Sequence, residues 1–581
     1  MMKRILSVLA LMLTVTNVAL AERPNVIVIM TDDQGVGDFR FTGNNLIDTP
    51  SLDALYSGGV HLEEFYVSPV CSPTRACLMT GRYNYRTRCI DTYLGRSMMD
   101  PEEITVAEIL SSAGYRTGIF GKWHLGDNYP MRAIDQGFDE ALIHKGGGLA
   151  QPSEPRENGR RYTDAILFHN GKQVQTKGYC TDVYFDAAID FVKKATKDND
   201  SFFAYIPTNA PHGPFHDVPQ KLYDYYKQKN FAEIMKRQLK EGAQKAENDK
   251  LARIFAMITN VDQNIGRLML VLKELNQLDN TMIIYLNDNG PNSARYVNQH
   301  RGMKSNVLEG GIRSPLIVHW PARLHAGGVS SQVGAHIDLL PTIADACGVK
   351  LKKKHLIDGM NLLPSLIKTD RKPVTRTLVI QSHRGNQPAL YHNFMIRKGD
   401  YKLLHPSGFG KEEFEGDPRF ELYDIRNDPG ETENLIEQES GVADRLKRLY
   451  EQWFEDVSST RKENYAPPRI VLGSEHDPIG ILTRQDWRNG TWAANANGHW
   501  LVEVDSAGVY DIRLVYDPGQ TDEDIKVEFG KAVLKAKSLA GADEAVISGV
   551  ELVPGPQTVQ ASLVAGDKMR GPYQVIVTKV E

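Results

Sequence analysis

The stretch Asn25-Val-Ile-Val-Ile-Met-Thr31, followed at once by Asp32 and Asp33, decides the fold class of this chain. Its apolar, mostly β-branched residues run without polar alternation, which is typical of a strand buried on both faces of a mostly parallel sheet. Ligand sites in open α/β sheets lie beyond the carboxyl ends of such strands. Two adjacent carboxylates at this point therefore favour a cation site over the alternative, a solvated turn leading into Gly35 and Gly37.

Further segments repeat this alternation of buried strands and helices. Strands are predicted at Tyr115–Phe120, Ser201–Ile206, Thr281–Leu286 and Leu316–Trp320, and helices at Thr49–Ser57, Thr105–Ala113, Asp182–Lys194 and within 219–276. Such alternation is typical of an α/β fold in which helices pack on a central sheet.

Polar side chains follow three of these strands, directly or after a short loop: Lys122, His124, His212, Asp288 and Asn289. Considered one at a time, most would be surface or turn residues. Because the carboxyl ends of parallel strands meet at one edge of a sheet, we expect these side chains to share a crevice with the Asp32-Asp33 pair.

The composition of the 581-residue chain is that of an ordinary globular protein, with 41% hydrophobic and 24% charged residues. The length suggests several domains. The formal net charge of −5 gives no signal for a polyanionic partner and argues against nucleic acid.

Residues 1–21 are predicted to be a secretory signal peptide. They carry Lys3 and Arg4, an apolar run from Ile5 to Val15, and Ala19-Leu20-Ala21 as a small-x-small cleavage site. The run is too short for a spanning helix, and no later segment approaches the length that a bilayer requires. We therefore expect an exported protein, periplasmic or secreted, without a membrane span.

A second informative stretch is Pro69-Val-Cys-Ser-Pro-Thr-Arg-Ala-Cys-Leu-Met-Thr-Gly81, in which Cys71, Pro73 and Arg75 form a C-x-P-x-R pattern. A helix is expected to begin here, so that free N–H groups of its first turn can face an anion. Alone, Cys71 could equally be a buried structural cysteine or half of a disulfide. Four more cysteines allow three disulfide pairings or remain free thiols: Cys77, Cys89, Cys180 and Cys347.

The C-x-P-x-R stretch resembles the signature of type I sulfatases, arylsulfatase-like members of the alkaline phosphatase superfamily in which this cysteine is oxidised to formylglycine. Gly114-Tyr-Arg-Thr-Gly-Ile-Phe-Gly-Lys-Trp-His-Leu-Gly126 is similar to the second sulfatase signature, and Lys304 shortly before Glu309-Gly-Gly-Ile-Arg313 also resembles the family. The resemblance covers roughly residues 24 to 457. It implies an α/β, alkaline-phosphatase-like sandwich with a large mixed, mostly parallel sheet flanked by helices, and a smaller α+β C-terminal subdomain.

Two positions depart from the family pattern, and a sulfate-contacting serine known in some arylsulfatases has no obvious match within residues 146–150. Asn287 stands where Ser or Thr is commoner before Asp-Asn-Gly, and Ser314 replaces the usual Val or Thr before Pro315. Both changes are expected to be tolerated behind the site.

The resemblance also implies a metal site and a catalytic set. The metal ligands would be Asp32, Asp33, Cys71, Asp288 and Asn289. With a hydrated aldehyde at residue 71, these ligands supply only oxygen, which suits calcium, with magnesium the weaker alternative. The catalytic set would be Cys71, Arg75, Lys122, His124, His212, Asp288 and Lys304, of which Lys122, His212 and Lys304 would bind the sulfate.

The same resemblance assigns roles to these side chains. Asp288 would accept the proton of the attacking hydroxyl, while Arg75 holds the hydrate. Either His212 or Lys304 would protonate the leaving alcohol. His124 would remove the proton from the second hydroxyl so that sulfate leaves, and a formylglycine-generating enzyme would be the partner in maturation.

The resemblance implies that the protein hydrolyses sulfate esters. Export and a β-rich C-terminal region favour sulfated carbohydrates as substrates, as in bacterial polysaccharide sulfatases. One alternative is a formylglycine-dependent phosphodiesterase or phosphonate monoester hydrolase, whose sites recruit more metal-binding His and Asp residues. Another is a non-catalytic carbohydrate-binding protein on the same fold. It is disfavoured because every expected catalytic position is filled.

The chain is predicted to consist of the signal peptide, a catalytic domain over residues 22–375, a smaller C-terminal subdomain over 376–465 and an appended β-rich domain over 466–581. Short β-rich runs separated by Gly, Pro and Asp turns indicate that this last domain is a β-sandwich. Trp487, Trp492 and Trp500 cluster at its start. Packing in a core or against the catalytic domain is the favoured interpretation, and a sugar-stacking platform is the alternative.

Overall fold

The computed structural model of the chain describes residues 23–149, 151–235, 240–352, 355–460 and 467–580. The predicted signal peptide, residues 1–21, lies outside these ranges. Among the helices within them, none offers the run of apolar residues that a bilayer crossing requires.

A ten-stranded mixed sheet is the centre of the N-terminal part. Its strands and those of a small separate ribbon are β1 (Asn25–Thr31), β2 (Val60–Leu62), β3 (Phe65–Tyr66), β4 (Arg116–Lys122), β5 (Glu140–His144), β6 (Ile166–His169), β7 (Lys172–Gln175), β8 (Phe202–Pro207), β9 (Thr281–Asn287), β10 (Ile317–His319), β11 (Gly328–Ser330) and β12 (Gly334–Ala335). The order in the sheet is β11-β2-β10-β9-β1-β8-β4-β5-β6-β7, and β3 pairs with β12. Since β1 is parallel to both β8 and β9, and β4 is parallel to β8, the predicted mixed, mostly parallel sheet is confirmed.

Helices cover both faces of this sheet. They are α1 (Pro50–Gly58), α2 (Cys71–Thr80), α3 (Val106–Ser112), α4 (Cys180–Asp198), α5 (Gln220–Tyr226), α6 (Glu241–Glu274), α7 (Glu309–Ile312), α8 (Leu339–Ala346) and α9 (Leu363–Ile367). Val26 and Val28 of β1 join a core with residues of α2, α3 and α8, whereas Ile27 and Ile29 join a core with residues of α1, α4 and α6. Alternate residues of β1 thus enter two cores, which is why its apolar run is uninterrupted.

The polar region 219–276 forms two helices, α5 and α6. The first turns of α6 are largely exposed, and its buried face begins at Leu251. The second half of the region therefore packs on the sheet.

The adjacent parallel strands bring four loops to one edge of the sheet. In the ladders, Thr31 stands opposite Asn287, and Met30 opposite Pro207. The segments that follow β1, β4, β8 and β9 therefore open side by side, as expected for an α/β ligand site.

A four-stranded antiparallel sheet with one long helix follows. It consists of β13 (Thr377–Gln381), β14 (Phe394–Lys398), β15 (Tyr401–His405) and β16 (Glu421–Asp424), covered by α10 (Ser440–Ser458). Lys402 of β15 is buried against the first part of the chain, with Nζ 2.8 Å from Glu309 Oε1 and 2.8 Å from Glu431 Oε1. A charged network thus joins the two parts.

The last part of the chain is a β-sandwich. Its strands are β17 (Ile470–Leu472), β18 (Ile479–Thr483), β19 (His499–Val504), β20 (Gly508–Val515), β21 (Glu523–Phe529), β22 (Ala532–Ser538), β23 (Glu544–Leu552), β24 (Gly555–Ala565), β25 (Lys568–Arg570) and β26 (Gln574–Lys579). One sheet has the order β17-β19-β24-β21-β22, with β25 paired to β24, and the other has the order β18-β26-β20-β23. The predicted appended sandwich is confirmed, while the exact domain boundaries stay predictions.

Two of the three tryptophans at the start of the sandwich pack in its core. Trp487 and Trp500 are fully buried in one cluster with Leu94 and Met131 of the catalytic part. This confirms the favoured interpretation for these two side chains and shows that the sandwich docks on the catalytic part. Trp492 is only half-buried.

Candidate active site

Asp32 and Asp33 lie directly beyond β1 and are fully buried. Asp33 takes a left-handed backbone conformation with φ of 62°. Its N–H donates to Asp288 Oδ1 at 3.1 Å, across the ladder between β1 and β9. The turn after β1 is thereby held against the loop after β9.

Cys71 is the first residue of α2, and its Sγ lies 3.5 Å from Asp32 Oδ1 and 3.4 Å from Lys304 Nζ. Every residue of α2 is buried. Burial, followed by the charge of Asp32, raises the pKa of the Cys71 thiol to about 12. Since the thiolate is the reactive form, an unmodified Cys71 would be a poor nucleophile at neutral pH.

All five cysteines lie in the described part of the chain, where they are buried free thiols without a disulfide between them. The question that the sequence left open, between three pairings and free thiols, is thus answered in favour of free thiols.

Arg75 lies one turn after Cys71 and fastens α2 to two loops of the site. Its Nη1 donates to the carbonyl of Lys122 at 2.8 Å, and its Nη2 donates to Asp288 Oδ2 at 2.8 Å. The side chain is fully buried. Charge-assisted hydrogen bonds from a buried guanidinium are strong and directional, so Arg75 fixes the positions of its partners and places a positive charge beside Asp288.

Asp288 follows β9 in the sequence Asp-Asn-Gly. Burial raises its pKa, the Asp32 charge raises it further, and Arg75 opposes both, which leaves the pKa at about 7. Gly290 allows the backbone to approach closely here, because a Cβ on it would lie 2.1 Å from the carbonyl oxygen of Gly310.

Lys122 and Lys304 pair with the two adjacent carboxylates. Lys122 Nζ lies 2.5 Å from Asp32 Oδ2, and Lys304 Nζ lies 2.5 Å from Asp33 Oδ1. Burial alone would raise the pKa of Asp32, but Lys122 and the other nearby cations hold it well below its usual range. Burial likewise opposes the charge on Lys304, but Asp33 raises its pKa well above the usual value.

The two site histidines are held by backbone carbonyls. His212 Nδ1 lies 2.7 Å from the oxygen of Gly213, and its Nε2 is 3.8 Å from Asp33 Oδ2. His124 Nε2 lies 2.8 Å from the oxygen of Thr92, and burial, followed by the charge of Lys122, holds the pKa of His124 well below its usual range. His124 is therefore neutral at pH 7.

The oxygen-rich centre of this crevice fits a hard cation. Asp33 Oδ2 and Asn289 Oδ1 are buried and accept no hydrogen bond from any residue in the described part of the chain. Ligand atoms of Asp32, Cys71 and Asp288 lie within 4.8 Å of one another, and so do those of Asp32, Asp33 and His212. Orphaned acceptor oxygens beside clustered carboxylates suit calcium or magnesium.

All the predicted site residues thus come together in one buried crevice at the edge of the sheet. The sequence did not indicate the neighbours that support them. Thr74 Oγ1 donates to the carbonyl of Asp288 at 2.7 Å, and Gln485 of the sandwich donates to the carbonyl of Thr92 at 2.9 Å. Thr74 stands inside the C-x-P-x-R stretch and could have been suspected, whereas no local signal marks Gln485.

The two departures from the family pattern contact each other. The N–H of Asn287 donates to Ser314 Oγ at 2.8 Å, and Asn287 Nδ2 donates to the carbonyl of Gln34 at 2.7 Å. Both side chains are buried behind the site and hydrogen-bonded, so their polar atoms are compatible with burial.

Comparison with protein families finds two matches. A model described as "Sulfatase" matches residues 24–349, more than half of the chain. A model described as "N-sulphoglucosamine sulphohydrolase, C-terminal" matches residues 301–457.

Individual relatives extend these matches. An N-acetylglucosamine-6-O-sulfatase of Bacteroides thetaiotaomicron is 28% identical over 529 residues, covering 76% of this chain and 88% of the relative. Human arylsulfatase A is 29% identical over 476 residues, covering 75% and 87%. The crystal structure of Ps i-CgsB in complex with k-i-k-neocarrahexaose is similar with a TM-score of 0.64 and 28% identity, covering 76% of this chain and 95% of that one.

Proposed function

The chain belongs to the sulfatase family, and we propose that it is an exported enzyme that hydrolyses sulfate esters of carbohydrates through a formylglycine made from Cys71, with a bound calcium ion. The observation that carries this proposal is the setting of Cys71. Its Sγ lies between Asp32 and Lys304 at the start of a fully buried helix. A thiol with a pKa of about 12 is unsuited to catalysis there, whereas a hydrated aldehyde suits the surrounding charges.

A formylglycine hydrate at residue 71 would offer two hydroxyls on one carbon, one to attack sulfur and one whose deprotonation would expel the sulfate. Asp32, Asp33, Asp288, Asn289 and residue 71 would hold a calcium ion, which would lower the pKa of a hydroxyl and neutralise charge on the sulfate.

Asp288 and Arg75 prepare the attack. A carboxyl with a pKa of about 7 can take up and return a proton near neutral pH, which suits Asp288 as acceptor of the attacking hydroxyl's proton. Arg75 fixes that carboxylate at 2.8 Å and thereby its direction.

Lys122, Lys304 and His212 would contact the sulfate oxygens. The ammonium groups of Lys122 and Lys304 are fixed against Asp32 and Asp33, and charges fixed in this way stabilise negative charge that develops on the oxygens of the sulfate. His212 or Lys304 donates the proton that the leaving alcohol needs.

His124 serves the last step. Its Nδ1 is buried and has no partner among the described residues, and its low pKa keeps the ring neutral. The ring could therefore accept the proton of the second hydroxyl, which is the proton transfer that release of the sulfate would require.

Carbohydrate sulfates are the favoured substrates for two reasons. Among the relatives, one is named for N-acetylglucosamine 6-O-sulfate and one was solved with a neocarrahexaose. The signal-peptide pattern in residues 1–21 supports export to the periplasm or beyond, where polysaccharides are met, and a formylglycine-generating enzyme would act on the chain during maturation.

Paired assays test the reaction class. Purified protein is offered sulfated oligosaccharides, 4-nitrophenyl sulfate and bis(4-nitrophenyl) phosphate, and release of sulfate or nitrophenol is measured. We expect sulfate release to dominate, to disappear in Cys71→Ala and to persist in Cys77→Ala, a control on the same helix. A large preference for the phosphate diester would favour the phosphodiesterase alternative, and absence of turnover with retained glycan binding would favour the non-catalytic one.

A further inference from the structure

Three separate parts of the chain meet beside the catalytic crevice. Tyr93 lies in the loop after α2, Arg384 follows β13, and Trp492 belongs to the β-sandwich. Cζ of Arg384 lies 4.0 Å from the centre of the Tyr93 ring, and the Trp492 ring meets Tyr93 edge-on at 5.2 Å. Together these three side chains form a ladder of guanidinium, phenol and indole, here named the Arg384 ladder.

The Arg384 ladder is adjacent to the site of sulfate chemistry. Tyr93 follows Thr92, whose carbonyl oxygen lies 2.8 Å from His124 Nε2. Gln485 of the sandwich donates to that same carbonyl at 2.9 Å. A saccharide whose sulfate reaches residue 71 can therefore extend over this loop.

Positive charge exceeds negative charge around the ladder. Arg96 and Arg384 share the buried carboxylate of Asp91, with Nη1 to Oδ2 distances of 3.6 Å and 3.2 Å. Arg96 also pairs with Glu412, which is largely exposed. Arg488 is the third guanidinium.

Arg488 has no carboxylate partner in the described part of the chain. Its Nη1 donates to the carbonyl of Leu94 at 3.0 Å and to Asn386 Oδ1 at 2.9 Å, and its exposed fraction is 8%. Burial, followed by the charge of Arg96, lowers the pKa of Arg488 to about 9. A buried guanidinium among neutral acceptors is stabilised by a nearby anion.

Arg384 itself offers free donors. Its side chain is 29% exposed, and Nη1 alone contacts Asp91. Within the described residues, Nε and Nη2 of Arg384 form no hydrogen bond. A guanidinium edge with free donors matches the geometry of a sulfate or carboxylate group.

We infer that the Arg384 ladder is a subsite for a second anionic group on the same saccharide, with Arg384 binding a sulfate or carboxylate while Tyr93 and Trp492 contact the sugar ring. The inference rests on the proposed function and narrows its substrate class to saccharides with more than one anionic group. It also gives the appended sandwich a part in recognition, through Trp492.

Calorimetry on a Cys71→Ala background tests this subsite without relying on turnover. The probes are galactan oligosaccharides of equal length with one or several sulfates, and a matched oligosaccharide with a uronate in place of the second sulfate. We expect multiply charged probes to bind about tenfold more tightly than the singly sulfated one, as for a charge-assisted hydrogen bond. Comparison of the sulfate and uronate arms shows which anion is preferred.

Substitutions of Arg384 and Trp492 distinguish binding of the saccharide from a purely structural role of these side chains. Arg384→Gln should abolish the preference for multiply charged probes, and Arg384→Lys should retain part of this preference. Trp492→Ala should lower the affinity for every probe severalfold. Arg448→Gln, an exposed arginine of α10, is the matched charge control and should leave binding unchanged.

Two results would overturn the inference. One is that the Cys71→Ala protein, with Arg384, Tyr93 and Trp492 unchanged, binds singly and multiply charged probes with equal affinity. The other is an equal loss for all probes in Arg384→Gln, which would indicate a structural role. Failure of the proposed function would look different, because wild-type protein would release no sulfate while these binding preferences remained.

Discussion

Around residue 71, each buried carboxylate is paired with a cation. The three ion pairs are Asp32–Lys122, Asp33–Lys304 and Asp288–Arg75. Burying a charge is costly, and removal of one partner from such a pair leaves the other uncompensated. The site therefore depends on these matched pairs.

The Asp33–Lys304 pair gives a direct prediction at this scale. Lys304→Met removes a donor from the sulfate oxygens and leaves Asp33 unpaired, so kcat/KM for 4-nitrophenyl sulfate should fall about 10²- to 10³-fold. Steady-state kinetics measures the loss, with the exposed Lys221→Met of α5 as control. Activity within about threefold of wild type would show that Lys304 does not act on the sulfate.

The sequence patterns indicated some of the residues of the site and did not indicate others. Asp32 and Asp288 are carboxylates at the ends of strands, where an α/β sheet gathers ligands, so their position indicated them. Lys122 was indicated only by its resemblance to the second sulfatase signature. Thr92 takes part through its backbone carbonyl, which leaves no trace in residue type. Gln485 reaches that carbonyl from 393 residues away, and nothing local predicts such a contact.

At the scale of elements, β15 and α7 are joined by a buried charge cluster. Lys402 lies between Glu309 and Glu431, at 2.8 Å from each, and all three side chains are fully buried. Burial opposes the charge of Glu309, but Lys402 and neighbouring cations lower its pKa to about 2. This placement gives Glu309 a structural role.

Removing the lysine from this cluster should destabilise the whole catalytic assembly. Lys402→Met leaves two buried carboxylates without their shared cation, which should lower the free energy of unfolding by about 3–5 kcal/mol. Urea unfolding followed by fluorescence measures the change. Lys398→Met, at the exposed end of β14, should be near neutral, and equal effects of the two substitutions would contradict this account.

At the scale of the molecule, three buried histidines should make the fold sensitive to acid. Burial lowers the pKa of His144 to about 4, and the pKa values of His336 and His383 to about 3. The unfolded chain, in which these groups have pKa values of about 6.5, binds more protons in the window between. Stability is therefore fully present above about pH 6.5 and falls as the pH drops toward 4.

Urea midpoints at successive pH values test this dependence. We expect little change from pH 8 to 7, and below about pH 6.5 a loss of up to about 1.4 kcal/mol per histidine per pH unit. His336→Asn should make the decline shallower, and the exposed His476→Asn should not. A midpoint that is constant from pH 7 to 5 would contradict the prediction.

The fold of each part of the chain was more predictable from the sequence than the way in which the parts dock on one another. The run Asn25–Thr31 predicts a strand buried on both faces, and the structure contains it with those bounds. Short β-rich runs likewise predicted the sandwich, although four of its strands were not among them: β17, β18, β22 and β25. Docking of the sandwich through Trp487 and Leu94 depends on contacts between distant segments, and periodicity carries no information about such pairs.

The proposed reaction requires residue 71 to be formylglycine. Peptide mass spectrometry of protein expressed with a formylglycine-generating enzyme, alongside sulfate release from the same preparations, tests this requirement most directly. We expect specific activity to rise in proportion to the fraction of residue 71 present as formylglycine. A fully active preparation in which residue 71 is entirely unmodified cysteine would contradict it.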